Sequence, residues 1–122
     1  MGSTYGAQPL GLCMPAIDTD AMTYARFGTL RAQPGQGDRI VDILIRPNSE
    51  TQPVGCLMYE VGRDSEDPDL VHVVELWESS DAHRASLQLE SVRSAIAEAM
   101  PLLTPDLRGT GFEIDGSPLR SV

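Results

Sequence analysis

The chain contains no lysine, and all nine of its basic residues are arginines. That absence excludes any mechanism built on a lysine Schiff base or a lysine general base. Positive charge is itself scarce: eighteen acidic residues leave a formal net charge of -9, which repels a phosphate backbone or an anionic membrane surface. Neither nucleic acid nor membrane is expected as a partner. Long apolar runs are also missing, and the N-terminus lacks the basic and then apolar regions of a signal peptide, so the expected location is cytoplasmic. Of the two cysteines, Cys13 falls in a Gly- and Pro-rich stretch and Cys56 in a strand-like one. They show no metal-ligand spacing, and no disulfide is expected between them in a reducing compartment. No glycine-rich loop follows a strand and opens a helix, and Gly109-Thr110-Gly111 is not followed by a helical pattern. With no His and carboxylate cluster at ligand spacing either, the expectation is that no cofactor is used.

What is present fits one domain of 122 residues, a size at which roughly two-thirds of the unfolded surface is buried. Residues 1–21 read as a flexible arm, 22–115 as the folded domain and 116–122 as a tail. From Met22 to Ala32 the chain alternates as a strand, with Tyr24, Arg26, Gly28 and Leu30 on one face and Ala25, Phe27, Thr29 and Arg31 on the other. Asp38 to Arg46 carries a helical apolar stripe that Pro47 should stop. Val54 to Val61 and Leu70 to Trp77 read as strands joined by an acidic hairpin loop containing Pro68. Ser79 or Ser80 then caps one long helix ending near Met100, where Pro101 removes a donor. A short apolar piece, Phe112 to Ile114, supplies a fourth strand.

The order strand, helix, strand, strand, helix, strand is the split βαβ arrangement of an α+β, ferredoxin-like fold with an antiparallel sheet. Both helices cover one face of such a sheet. The other apolar face is left open, and a second copy of the chain is the economical cover.

Four residues stand out as candidates for chemistry, and a fifth, His72, ranks below them. Trp77, the only tryptophan, shares a strand face with Val71, Val73 and Glu75 by two-residue alternation, so it either lines a pocket under the helices or fills the core. His83 falls in the first turn of the second helix, whose positive end should lower the imidazole pKa and leave a proton acceptor, or else it is a surface or capping histidine. Arg26 offers a fork of donors to an oxyanion, or pairs with Glu75 or Glu60 as a structural ion pair. Tyr59 is a polar group on a half-buried strand. His72 lies on the face opposite Trp77 and reads as an interface or solvent residue.

Gly55-Cys56 beside a strand containing Tyr59, followed by Glu75-Leu76-Trp77-Glu78-Ser79 and a helix, resembles the recurrent pattern of the antibiotic biosynthesis monooxygenase domain, also called quinol monooxygenase. The resemblance runs from Thr23 to about Phe112. It implies a dimeric α+β barrel, hence a homodimer, in which a cavity between sheet and helices holds a planar aromatic substrate. Trp77 would supply a stacking wall and an N–H donor there, and His83 would take the place of a tyrosine found in antibiotic-pathway members. Two positions depart from the pattern: Ser86 and Ser91 stand where many members carry histidines. Gly28, Ser86 and Ile96 stand where the haem-degrading branch needs Asn, Trp and His, which disfavours haem oxidation.

An oxygenase without flavin, haem or metal needs a substrate that itself gives electrons to dioxygen. The implied reaction is therefore oxidation of a quinol, phenol or anthrone to a quinone. His83 would accept the proton, Trp77 would act beside it, and Arg26, Tyr59 and Glu75 would bind the substrate. The alternatives are a dimeric barrel that binds a small molecule without turning it over, or a cofactor-free isomerase working through His83.

Overall fold

The structure, a computed structural model, describes residues 22–120. The expected arm (1–21) and the end of the tail lie outside the described residues. Four strands, β1 (Tyr24–Ala32), β2 (Cys56–Arg63), β3 (Leu70–Trp77) and β4 (Leu103–Glu113), form one sheet in the order β2-β3-β1-β4 with every pairing antiparallel. Helices α1 (Gly37–Leu44), α2 (Ser80–Ser86) and α3 (Glu90–Ala99) complete the ferredoxin-like α+β fold. No described helix is long and apolar enough to cross a membrane.

The core sits between α1, α3 and one end of the sheet. Ala32, Ile40, Val41, Ile43, Val71, Val73 and Ala99 form it, and Ile40 and Val71 are fully buried, each such side chain contributing about 1.5–3 kcal/mol. Helix α1 begins where Asp69, the residue before β3, accepts hydrogen bonds from the Gly35 and Gly37 amides at 2.9 Å each. Gly37 must be glycine, because a Cβ there would run into the Pro68 carbonyl. Helix α2 starts as expected: the Ser79 hydroxyl accepts from the Ala82 amide at 3.0 Å, satisfying one of the four unpaired donors of a helix start.

Three elements differ from the sequence reading. The expected single helix from Ser79 to Met100 is broken at Leu87-Gln88-Leu89, with Leu89 extended at φ -69° and ψ 137°. At the break, the buried Ser86 hydroxyl donates to the His83 carbonyl at 2.6 Å, a local bond of the kind that competes with helix continuation. Strand β4 runs eleven residues instead of starting at Phe112. It is an edge strand paired only with β1, a place where Pro105 is tolerated. Strand β2 also starts at Cys56, just past Gly55 at φ +117°, where a Cβ would lie 2.8 Å from the Ala82 Cβ.

The face away from the helices carries Phe27, Val74, Leu76 and Phe112, with Phe27 52 % and Phe112 42 % exposed and their rings 5.6 Å apart, edge to face.

Candidate active site

Register places the site. Tyr59 on β2, Glu75 on β3 and Arg26 on β1 are successive cross-strand neighbours, and the alternation that buries Val71 and Val73 turns all three toward the helices. A cleft of about 280 Å³ opens there, bounded by these three polar residues and by Leu30, Leu44, Val73, Ile96, Met100 and Leu107. The break between α2 and α3 shapes it: α3 lends Ile96 to the rim, while α2 lies apart over Trp77.

Glu75 is the centre of the arrangement. Trp77 Nε1–H donates to its Oε1 at 2.9 Å, and His83 Nε2 stands 4.0 Å from the same oxygen. No described residue hydrogen-bonds to Oε2. Burial raises the Glu75 pKa above the usual carboxylate range, opposed by the Trp77 hydrogen bond and the Arg26 charge. Burial likewise lowers the His83 pKa, with the charges of Arg26 and Arg84 adding to it, so the imidazole is held toward its neutral form. The direction is the one expected from the sequence. Its leading cause is burial of the ring, whose side chain is 16 % exposed.

Arg26 pairs with neither Glu75 nor Glu60. Its Nη1 donates to the Tyr24 hydroxyl at 3.3 Å, and among the described residues no carboxylate comes within ion-pairing distance of it. Among the described residues nothing else engages its donor fork, which lies beside an apolar cleft. Tyr59, 40 % exposed, lines the cleft, and burial followed by the negative charge of Glu75 pushes its phenol up to about 12.

Trp77 does not form a cleft wall. Its ring is 2 % exposed, sits edge to face with the His83 ring at 5.4 Å, and borders no part of the cleft. Its N–H is already engaged by Glu75. His83 also lies behind the carboxylate, its ring 5.9 Å from that of Tyr24. The structure thus brings Arg26, Tyr59 and Glu75 to the cleft and sets Trp77 and His83 in contact range of Glu75.

The hydroxyls of Ser86 and Ser91 are both engaged in local hydrogen bonds. Ser86 bonds within α2, and the Ser91 hydroxyl bonds to Glu50 while accepting from Asn48. His72 lies on the open face as expected and pairs with Asp64 at 2.9 Å. A larger, shallower hollow of about 440 Å³ lies on that face. Its two ionisable groups, His72 and Arg108, are already bonded to Asp64 and Asp106. Cys56 is a free thiol whose pKa burial raises, as befits a small apolar residue; Cys13 lies outside the described residues. Among the described residues no group of three His, Cys, Asp or Glu side chains could hold a metal ion.

Sheet, one-sided helices and a polar trio in an apolar cleft define a ferredoxin-like α+β domain of the small-ligand kind. Residues 23–98 match the profile of the antibiotic biosynthesis monooxygenase family, and the chain belongs to that family. A protein of Chloroflexus aurantiacus J-10-fl carrying that family's name is similar at 38 % identity, over 78 % of this chain and 95 % of its own, with a TM-score of 0.70. One from Deinococcus radiodurans bearing the same family name is 27 % identical over 81 % of this chain and 98 % of its own, TM-score 0.63. One from Nitrosomonas europaea shares the fold at 7 % identity, with a TM-score of 0.70 over 78 % of this chain and 92 % of its own. No curated protein matches the chain.

Proposed function

We propose that the chain is a cofactor-independent monooxygenase that oxidises a small electron-rich hydroxyaromatic, a quinol, phenol or anthrone, to a quinone with dioxygen. The observation that carries the reading is the pair Glu75 and Arg26: adjacent across two strands, facing one apolar cleft, and not neutralising each other. An acceptor oxygen and an open guanidinium fork held apart in a poorly solvated site suit a substrate that loses a proton and becomes an anion between them.

In the proposed reaction the substrate hydroxyl, or the methylene of an anthrone, gives its proton to the Glu75–His83 pair through Oε2, the oxygen that no described residue engages. Trp77 fixes the carboxylate by its N–H. Arg26 and Tyr59 hold the resulting oxyanion, and its charge delocalises onto a ring carbon. That carbon gives its electrons to dioxygen and forms a C–O bond; the hydroperoxide then loses water and leaves a carbonyl. One oxygen atom ends in the quinone and the other in water. Placing the first proton acceptor at Glu75, with His83 behind it, follows from which of them lines the cleft.

We further propose that the working form is a homodimer whose two open sheet faces meet, covering Phe27 and Phe112. Family membership supports this, as do the half-exposed Phe27 and Phe112 rings on the uncovered face.

Oxygen uptake by protein stripped of metal and flavin, measured over a panel of quinols, phenols and anthrones, tests the activity. Turnover with one atom of ¹⁸O₂ incorporated per quinone is expected. Rates equal to the uncatalysed background across the panel would reject it.

A further inference from the structure

Gly28 occupies the middle of β1, where the other helix-facing residues, Tyr24, Arg26, Leu30 and Ala32, all carry side chains. Its cross-strand neighbours are Val73 on β3 and Gly109 on β4. The two glycines on this row serve different ends. A Cβ at Gly109 would lie 2.9 Å from Arg26 Nη2, and one at Gly111 would collide with the Tyr24 hydroxyl. These β4 glycines therefore clear the space that Arg26 and its partner Tyr24 occupy. A Cβ at Gly28 would meet only the Arg108 carbonyl, at 3.1 Å, and no side chain within 4 Å. The volume above Gly28 is the cleft itself, which Gly28, Gly109 and Val73 all line.

A strand glycine weakens the strand and marks a place where another molecule or backbone comes close. Here the backbone is bare directly beside the seated guanidinium. We propose that Gly28 is the floor of the substrate site: the ring system of a flat, fused hydroxyaromatic lies face-on against the peptide planes at Gly28, flanked by Val73, with its hydroxyl toward Arg26 and Glu75. This rests on the substrate reading above and narrows it to planar, two-ring substrates. The cleft sits near the lower end of ligand-pocket sizes, about 300 Å³, which excludes larger polycycles from full burial. A flat ring can reach carbon contact distance with the floor, about 3.5–4.0 Å. A ring with tetrahedral carbons holds its axial hydrogens against the same surface and is lifted away.

Calorimetric titration under anaerobic conditions, where no turnover occurs, tests this with naphthalene-1,4-diol and its 5,6,7,8-tetrahydro derivative. The two share the hydroxylated ring and differ in the flatness of the second. Wild-type protein is expected to prefer the flat diol by about tenfold or more, the scale on which pockets discriminate by shape. Gly28→Ala should bring the two affinities close to parity by weakening the flat diol, the β4 backbone giving way by a few tenths of an ångström. Gly62→Ala on β2, where a Cβ meets nothing within 4 Å, should keep the wild-type preference. Gly109→Ala should displace Arg26 and weaken both diols alike. Because the preference is a ratio of dissociation constants on one preparation, partial unfolding of a variant does not alter it. Equal affinities in the wild type, or an undiminished preference in Gly28→Ala, would overturn the floor while leaving the substrate reading intact. Binding of neither diol by the wild type would overturn both.

Discussion

Two arginines on β1 have opposite fates. Arg31, near the end of the strand beside the core, is held by Asp67 at 2.7 Å and Asp106 at 3.3 Å, and its guanidinium is engaged from both sides. Arg26, on the other face, has a tyrosine hydroxyl and, among the described residues, no carboxylate, although Glu75 is its neighbour across the strand. The carboxylates mirror the contrast. Asp67 is held below the ordinary carboxylate range, first by its hydrogen bond from Arg31, whereas burial raises Glu75. One end of the sheet pairs its charges and gains stability; the other keeps them apart at a cost, as expected where charge has to be available to a ligand.

Glu75→Gln should break the contrast most completely. The amide oxygen can still accept from Trp77, but it cannot take a proton, so kcat for quinol oxidation should fall by about 10²–10⁴-fold. Stability should move the other way. The folded-state pKa of Glu75 lies above its unfolded value of 4.5, so the folded state retains the proton to higher pH. Ionisation as pH rises through that window therefore opposes folding. At pH 7 the Gln variant should melt at or above the wild-type temperature, with the advantage vanishing below pH 4.5. A variant that loses both activity and thermal stability would assign Glu75 to the structure alone.

The same pair sets the pH profile. Burial raises the Glu75 pKa and lowers that of His83, so kcat/KM should fall in acid as the pair takes up protons, with an apparent pKa belonging to the two groups jointly.

Arg26→Met keeps a comparable stem and removes the fork. If the guanidinium holds the developing oxyanion, the loss should be about 10²–10³-fold in kcat, the range seen for removing one oxyanion donor. The melting temperature should scarcely change, because no ion pair is broken. A large rise in KM at unchanged kcat would instead make Arg26 a ground-state binder.

Much of this division was legible in the sequence, and the remainder was hidden for physical reasons. Two-residue alternation grouped Arg26 with Tyr24, Gly28 and Leu30 on β1 and Glu75 with Val71, Val73 and Trp77 on β3, and the Ser79 cap and Pro101 stop marked the limits of the helical region; that the two groups share one face takes the β1–β3 register. The break at residues 87–89 was hidden because neither glycine nor proline occurs between Ser86 and Glu90; a serine back-bond leaves no periodic trace. Strand β4 was hidden because Pro105, Gly109 and Gly111 interrupt any alternation, and its order comes from pairing with β1. Alternation also could not separate Glu75 from Trp77, since both share a face. Only the placement of α2 over the one and the gap beside the other assigns the tryptophan to support and the carboxylate to the cleft. The glycines of β4 carried no phosphate-loop signal, and their use appears once Tyr24 and Arg26 are seen lying across them.

On the open face, Phe27→Glu should convert the proposed dimer to a monomer, halving the mass seen in sedimentation. The charge would otherwise be buried without a partner, at a cost of several kcal/mol. A wild-type chain that is monomeric at all concentrations would sink the proposed assembly without touching the cleft.

The smallest effect belongs to Arg31→Gln, and it sharpens the comparison from the stable end. Its guanidinium and both carboxylates remain partly exposed, 38 % for Arg31 and 40 % for each aspartate, where salt screens the attraction. Turnover should be that of the wild type, since Arg31 projects from the face opposite the cleft. The melting temperature at pH 7 should drop by a small amount, and less at high salt. The sign follows from the aspartates: their folded-state pKa values lie below the unfolded 3.8, so their contribution is present above that pH and lost as pH falls through the lowered values. Wild type and Arg31→Gln should therefore converge in acid, while wild type and Glu75→Gln converge in acid from the opposite side. An Arg31→Gln variant with impaired turnover and unchanged melting would erase the distinction between the two arginines.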